Sequence, residues 1–450
     1  MTHAVLAAGV LAWLASAAIL LGTASSLGHD ESQYAIAAQD LLEGHPTRWN
    51  YLSIGTSVLA VPGVLAGGSS VALRLLPVLI GLAFLAAAHR VARGLTNATV
   101  AAWVIAVIAA SFSMSKRAAD LLSDLPSTAL LLAGAYVAVT EVLREGGPRR
   151  RVVLAAPLLA AAFYVRYGSA LAIAVIAGVV VLVGWRGILA RPLRVLATAG
   201  LGALLLVPHF VAAHVVTGSP LGVLRESSSV LGSAYFGESL VTYLTSNPFT
   251  YYGIVAAPVM VAGLCSIRRA RDRRVLATWL LAVGDVIAVG LTPVPQARYI
   301  FFAMVLLMIL GVDELHRWTL ARPAHLRRAA IGFAAAAVAV SWVVVGISAR
   351  RLAALRDRNT APMRLAAQVV RADAAGRSCR VIGRHTTQLQ WYSGCPAVPW
   401  APEPMLAEHR TYLVREYGKR EQPELDGRPG TPRLLRDDRG VVAVYRMELE

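Results

Sequence analysis

The chain has 450 residues, of which 56% are hydrophobic and only 15% charged, and its mean hydropathy is +0.58. Soluble domains carry about a quarter charged residues and disordered chains need low hydrophobicity, so both classes are excluded. The net charge is +17, but the positive residues lie mostly in short loops between apolar runs, a distribution that argues against a nucleic-acid surface and for a membrane protein.

In chain order, helices that cross a membrane, each needing about 20 mostly apolar residues, are predicted near 4–26, 71–88, 97–113, 125–142, 152–165, 168–185, 194–215, 251–267, 275–291, 299–313 and 330–348. The first lacks a clear signal-peptide cleavage site and is read as an anchor. Residues 52–67 are apolar but short and contain Pro62, Gly63 and Gly67, so they read as a re-entrant or interfacial segment. Eleven spans put the termini on opposite sides. Loops 89–96, 143–151, 186–194, 268–274 and 314–329 hold 18 Arg, whereas 27–51, 114–124, 166–167, 216–250 and 292–298 hold 6 Lys or Arg. The positive-inside rule makes the first set cytoplasmic. The N-terminus is then inside and the chain after residue 349 outside.

Residues 350–450 change character: they are charged and mix helical with strand-like patterns. Residues 361–373 read as an amphipathic helix, and 379–383, 411–416 and 440–449 as strands. The expected architecture is a polytopic all-α membrane domain, 1–349, followed by a small extracytoplasmic α/β domain, 350–450. Cys379 and Cys395 are the only cysteines of that tail. On an oxidising side they are expected to form a disulfide, worth about 3 kcal/mol for a loop of this length. Cys265, near the end of a span, reads as a packing residue.

The outer loops gather both signs of charge. Asp30 and Glu31 follow directly on the first span, and Tyr34, Ala37, Ala38, Leu41 and Leu42 continue at helical spacing. This reads as an interfacial amphipathic helix, with Asp30 either its N-cap or a fixed catalytic carboxylate. Lys116 and Arg117 precede Asp124, which stands just before Leu125-Pro126 at a helix start, where Ser123 or Asp124 is the candidate cap. Lys116 and Arg117 read as snorkelling anchors or phosphate contacts. Arg166-Tyr167 interrupts an apolar stretch, and Arg298-Tyr299 opens a later span. Each Arg is either an interfacial anchor or a phosphate ligand, for which its planar fork is suited. Asp285 lies deep in a predicted span and is assigned no role. No Walker loop, HExxH motif or nucleophile elbow is present.

These motifs, in this order, resemble the GT-C class of membrane glycosyltransferases, in particular its aminoarabinose-transferase-like and dolichyl-phosphate-mannose protein mannosyltransferase-like branch. The acidic pair Asp30-Glu31 with Tyr34, Asp124 before Leu-Pro, Arg166-Tyr167 and Arg298-Tyr299 carry the resemblance, over about residues 5–315. It implies an inverting transfer of sugar from a polyprenyl-phosphate donor to a hydroxyl of a lipid, glycan or protein, at the outer face of a bacterial cytoplasmic membrane. Asp30 would be the base, with Glu31 and Asp124 assisting. Tyr34, Lys116, Arg117, Arg166, Tyr167, Arg298 and Tyr299 would bind substrate. Divalent-metal use varies among relatives. No phosphate-contacting Lys is matched, so that role falls to Arg. A transporter or flippase of lipid-linked saccharides is the alternative, although such proteins usually show internal repeats and polar groups near the midplane. A catalytically dead scaffold is a third.

Overall fold

The computed structural model describes residues 2–23, 26–45, 52–229, 236–293, 295–399, 410–417, 431–438 and 441–448. From the sequence, Gly44 and Pro46 are expected to end the first-loop helix; it stops at Leu42, before Gly44, and Pro46 lies outside the described residues.

In chain order the helices are α1 (Thr2–Thr23), α2 (His29–Leu42), α3 (Ile54–Leu65), α4 (Ser70–Leu95), α5 (Ala98–Ala109), α6 (Phe112–Ser115), α7 (Asp124–Val142), α8 (Ala155–Val165), α9 (Ser169–Ala190), α10 (Pro192–Thr217), α11 (Gly222–Ser229), α12 (Glu238–Thr245), α13 (Pro248–Tyr251), α14 (Ala256–Cys265), α15 (Arg273–Gly290), α16 (Phe301–Leu320) and α17 (Ala324–Ala374). A helix occupies each of the eleven expected spans. Among the described residues seven are long and apolar enough to cross a membrane: α1, α4, α7, α9, α10, α17, and α16 together with the short turn before it. This makes the chain a multi-pass membrane protein. Start signals are local. Asn97 accepts a hydrogen bond from the Val100 N–H at 3.0 Å to open α5, and Asp272 does the same for the Arg274 N–H at 2.9 Å to open α15.

Contacts divide the chain into two compact units. The first comprises Met1–Leu20, Asn50–Thr56 and Leu75–Ala349; the second comprises Leu21–Trp49, Ser57–Arg74 and Arg350–Glu450.

In the first unit α16 is the core helix, buried at every residue from Phe301 to Asp313. By contrast α10 buries only His209 and Ala213, so most of its apolar side chains face outward. Between α14 and α16 the backbones touch. A Cβ on Gly263 would strike the Leu307 carbonyl, and one on Gly311 the Val259 carbonyl. Small residues are the usual way for membrane helices to approach closely, since dispersion replaces the hydrophobic drive there. Cys265 departs from the expected packing role. It is exposed, two residues beyond the glycine that makes the contact.

In the second unit α2 differs from the amphipathic helix expected at an interface: Glu31 through Ala38 are all buried. The unit also holds a five-stranded sheet, β1 (Cys379–Ile382), β2 (Ala397–Val398), β3 (Arg410–Glu416), β4 (Thr431–Asp438) and β5 (Val442–Glu448), in the order β2-β1-β3-β5-β4. A further helix, α18 (Thr386–Ser393), lies between β1 and β2 in the chain. β1 pairs parallel with β2 and β3, whereas β5 pairs antiparallel with β3 and β4. Val381, Tyr412, Val414, Val442 and Val444 pack with Met363, Ala366 and Val370 of α17. Cys379 and Cys395 are disulfide-bonded. The helix expected at 361–373 is not separate but the last part of α17. The intervening "ARRLAALRDR" is rich in strong helix formers.

Candidate active site

Two polar clusters hold most of the residues singled out by sequence, one in each unit.

In the first unit Asp124 opens α7. Its side chain does not cap the helix. The N-cap is Ser123, which makes no side-chain cap bond, and the Ser127 and Thr128 hydroxyls donate to the Asp124 carbonyl at 3.0 and 2.7 Å. This leaves the carboxylate, 2% exposed, to meet two guanidinium groups. Arg166 Nη1 lies 3.0 Å from Oδ1 and Arg298 Nη1 3.7 Å from Oδ2. Arg166 reaches it because α8 stops at Val165 and the backbone turns extended at Arg166. Arg298 stands in the short 3-10 turn Ala297–Ile300 just before α16. The ring of Tyr299 lies under both, 4.3 Å from the Arg166 guanidinium and 5.4 Å from that of Arg298, the geometry of cation–π stacking. Gln296 Oε1 accepts from Arg298 Nε. Behind it Tyr243 donates to the Gln296 carbonyl at 3.3 Å and Tyr252 to the Tyr243 carbonyl at 3.0 Å. Burial first, and then Tyr251, pushes the Tyr243 phenol pKa up, so it remains a donor. The arrangement is a half-buried pair of arginines, side by side, fixed from below and partly exposed: 16% and 15% of their side chains. Such a pair suits an anion with several oxygens.

Other residues singled out by sequence make contacts of their own. Arg117 is bound to Asp120 at 2.8 Å. The Lys116 ammonium lies 5.2 Å from the Phe112 ring. Tyr167 turns into an aromatic cluster, 5.3 Å from Phe163 and 4.8 Å from His209, with 8% exposure, and its N–H donates to Ser53. Asp285 is 1% exposed, with the Ala303 N–H hydrogen-bonded to it and Arg166 close enough to interact.

In the second unit Asp30 is the second residue of α2, after His29. It is not the cap. The N-cap is Gly28, and Glu31 reaches back to accept its N–H at 2.8 Å, the carboxylate half of a capping box. Glu31 is also gripped by Arg74, whose Nε and Nη2 donate to its two oxygens at 2.8 and 2.7 Å. Both side chains are nearly inaccessible, 4% and 2% exposed. Glu31 is thus held at the helix start by Gly28 and Arg74, and Tyr34 is buried. Arg74 escaped the sequence reading because it lies inside an apolar stretch counted as a span. The available signal was the cost of an unpaired charge there, which calls for a nearby acid.

Among the described residues no three His, Cys, Asp or Glu side chains gather to hold a metal ion. Both Asp124 oxygens face guanidinium groups, so that carboxylate does not fit a divalent cation either.

No protein-family model and no curated protein matches the sequence. Solved structures do match in fold. ArnT from Cupriavidus metallidurans, in the apo state, superposes with a TM-score of 0.69 at 17% identity, over 98% of this chain and 97% of that one. The same protein bound to undecaprenyl phosphate gives 0.71. The Archaeoglobus fulgidus oligosaccharyltransferase, crystallised with Zn and sulfate, gives 0.61 at 12% identity, over 92% of this chain and 68% of that one. The chain thus has the fold shared by ArnT and the archaeal oligosaccharyltransferase, two GT-C glycosyltransferases.

Proposed function

We propose that this protein is a membrane glycosyltransferase that moves a sugar from a polyprenyl-phosphate donor to a hydroxyl acceptor. The observation that carries the reading is the Arg166–Asp124–Arg298 cluster, found in a chain with the fold of a protein crystallised with undecaprenyl phosphate. Two guanidinium groups fixed side by side are matched to a phosphate leaving group, whose negative charge grows as the anomeric bond breaks. Asp124 holds them together and is not itself the base. The acceptor hydroxyl must lose its proton, a task for a carboxylate, and we assign it to Asp30, the first acid after the first span, as the GT-C resemblance implies. A single displacement with one base inverts the anomeric carbon. The excess of arginine in loops such as 268–274 supports an extracytoplasmic site, and the membrane domain 1–349 would carry the chemistry. The acceptor is a lipid, glycan or protein hydroxyl.

Purified protein incubated with a panel of undecaprenyl-phosphate sugars is the test. Release of undecaprenyl phosphate with transfer of sugar of inverted configuration is expected. Asp30→Asn should fold and lose on the order of 10²–10⁴ in turnover. Movement of the lipid-linked sugar across a proteoliposome without bond cleavage would replace the reading with the transporter alternative.

A further inference from the structure

The segment around Asp30 is fastened residue by residue within the second unit. Arg74 Nη2 donates to the Ser26 carbonyl at 3.0 Å. The Leu27 N–H donates to the Tyr392 hydroxyl at 2.7 Å. The Gly28 N–H goes to Glu31. The His29 ring meets Thr387 Oγ1 at 3.0 Å. Thr387 spends its own proton on Gln388 Oε1, 2.9 Å away, so it accepts from His29 Nδ1–H. On the other side of the ring, the Gln33 amide donates to Nε2 at 3.2 Å. His29 is therefore a neutral imidazole of one tautomer, and desolvation lowers its pKa in keeping with this. Tyr392 and Thr387 both belong to α18. Leu27 and Thr387 are fully buried, where an N–H or hydroxyl without a partner is costly.

We propose that the C-terminal domain serves catalysis as a clamp, in which Tyr392 and Thr387 are positioning residues that set the place of the Asp30 carboxylate through Leu27 and His29. The proposal rests on Asp30 being the base. It accounts for why two side chains of a domain outside the membrane helices are hydrogen-bonded to the two residues on either side of Gly28. A base misplaced by about 1 Å costs up to about 10²-fold, so loosening these bonds should reach turnover without touching the arginine pair.

The test is a double-mutant comparison in the full-length protein. Tyr392→Phe and Thr387→Val keep the shape of each side chain and remove its hydroxyl; Thr387→Ser keeps the hydroxyl. Expected are unchanged undecaprenyl phosphate binding, an unfolding temperature lowered by a few degrees because a buried donor loses its partner, and, at a temperature where each variant remains folded, a kcat on the panel substrate reduced about 10- to 100-fold by Tyr392→Phe and by Thr387→Val. Thr387→Ser should restore most of it. In an Asp30→Asn background the same changes should cause no further loss. Full kcat in both hydroxyl-deleted variants, or the same fractional loss with and without the Asp30 carboxylate, overturns the clamp. If one variant fails to fold, the other carries the comparison. An Asp30→Asn protein with full activity overturns the base assignment, and the clamp with it; that result is distinct from failure of the clamp alone.

Discussion

Asp124 stands where two positive side chains would otherwise repel, and its value lies in holding them at one spacing. Removing one partner of a buried ion pair leaves an uncompensated charge, so the three residues are expected to act as a unit. Arg166→Ala and Arg298→Ala should each weaken undecaprenyl phosphate binding by about tenfold or more, as loss of a charged hydrogen bond of 1.5–3 kcal/mol implies. Arg166→Lys should not restore it, because an ammonium neither stacks on Tyr299 as a guanidinium does nor offers a fork. Titration calorimetry of the three variants measures this, and wild-type affinity in all would reduce both arginines to interfacial anchors. At His29 the sign of a pH effect follows from its neutral state. Desolvation lowers its folded pKa below 6.5, with Asp30 opposing and His385 adding to the shift. The unfolded chain then binds the proton first, and stability is lost as pH falls below about 6.5. Thermal unfolding from pH 7.5 to 5.5 should show a smaller loss in His29→Asn, whose amide can still donate to Thr387; an identical slope would mean that His29 contributes nothing.

Elements differ in how openly their sequences announce them. The strands at 379–382, 410–416 and 442–448 could be read from runs of Val, Ile, Leu and Tyr, but β4 could not. Its "TPRLLRDD" is exposed at nearly every position, so no period of two marks a buried face. It is an edge strand bearing charges, as edges tend to. Asp30 and Asp124 each left a cap and a catalytic reading open in the sequence. Both stand at helix starts, where carboxylates usually cap, yet Gly28 and Ser123 occupy the cap positions. Which carboxylate reaches back and which reaches out depends on partners such as Arg74 and Arg166, 43 and 42 positions away, and spacing along one helix does not record them. The close contact of α14 with α16 was equally silent in the sequence. There Gly311→Ala should destabilise the folded protein by about 1–3 kcal/mol, the usual cost of overpacking, because the new methyl meets a carbonyl. Gly332→Ala in α17 has nothing within 4 Å of the added carbon and is the control. Equal unfolding temperatures in detergent would show that α16 can shift to accept the methyl.

For the whole molecule, the membrane helices were the most legible feature, because composition alone forces an apolar run out of water. Orientation rests on the arginine asymmetry between the two sets of loops. A reporter active only in the cytoplasm, fused after Glu450, should be silent, and activity there would move the proposed chemistry to the other face. What the sequence left hidden is the participation of the tail with the first loop in one compact unit, since hydrogen bonds such as Leu27 to Tyr392 join residues 365 positions apart.

The arginine pair also has a history during synthesis. Asp124 and Arg166 emerge early and close together, but Arg298 follows Arg166 by 132 residues. At the usual 5–20 residues per second the ribosome needs roughly 7–26 seconds to make that interval. Throughout it Asp124 has one guanidinium to face, and the ring of Tyr299 that lies beneath both arginines does not yet exist. A nascent chain released before residue 298 would hold most of its membrane helices and half of its anion cradle. The cluster is thus completed only after most of the membrane helices have been made.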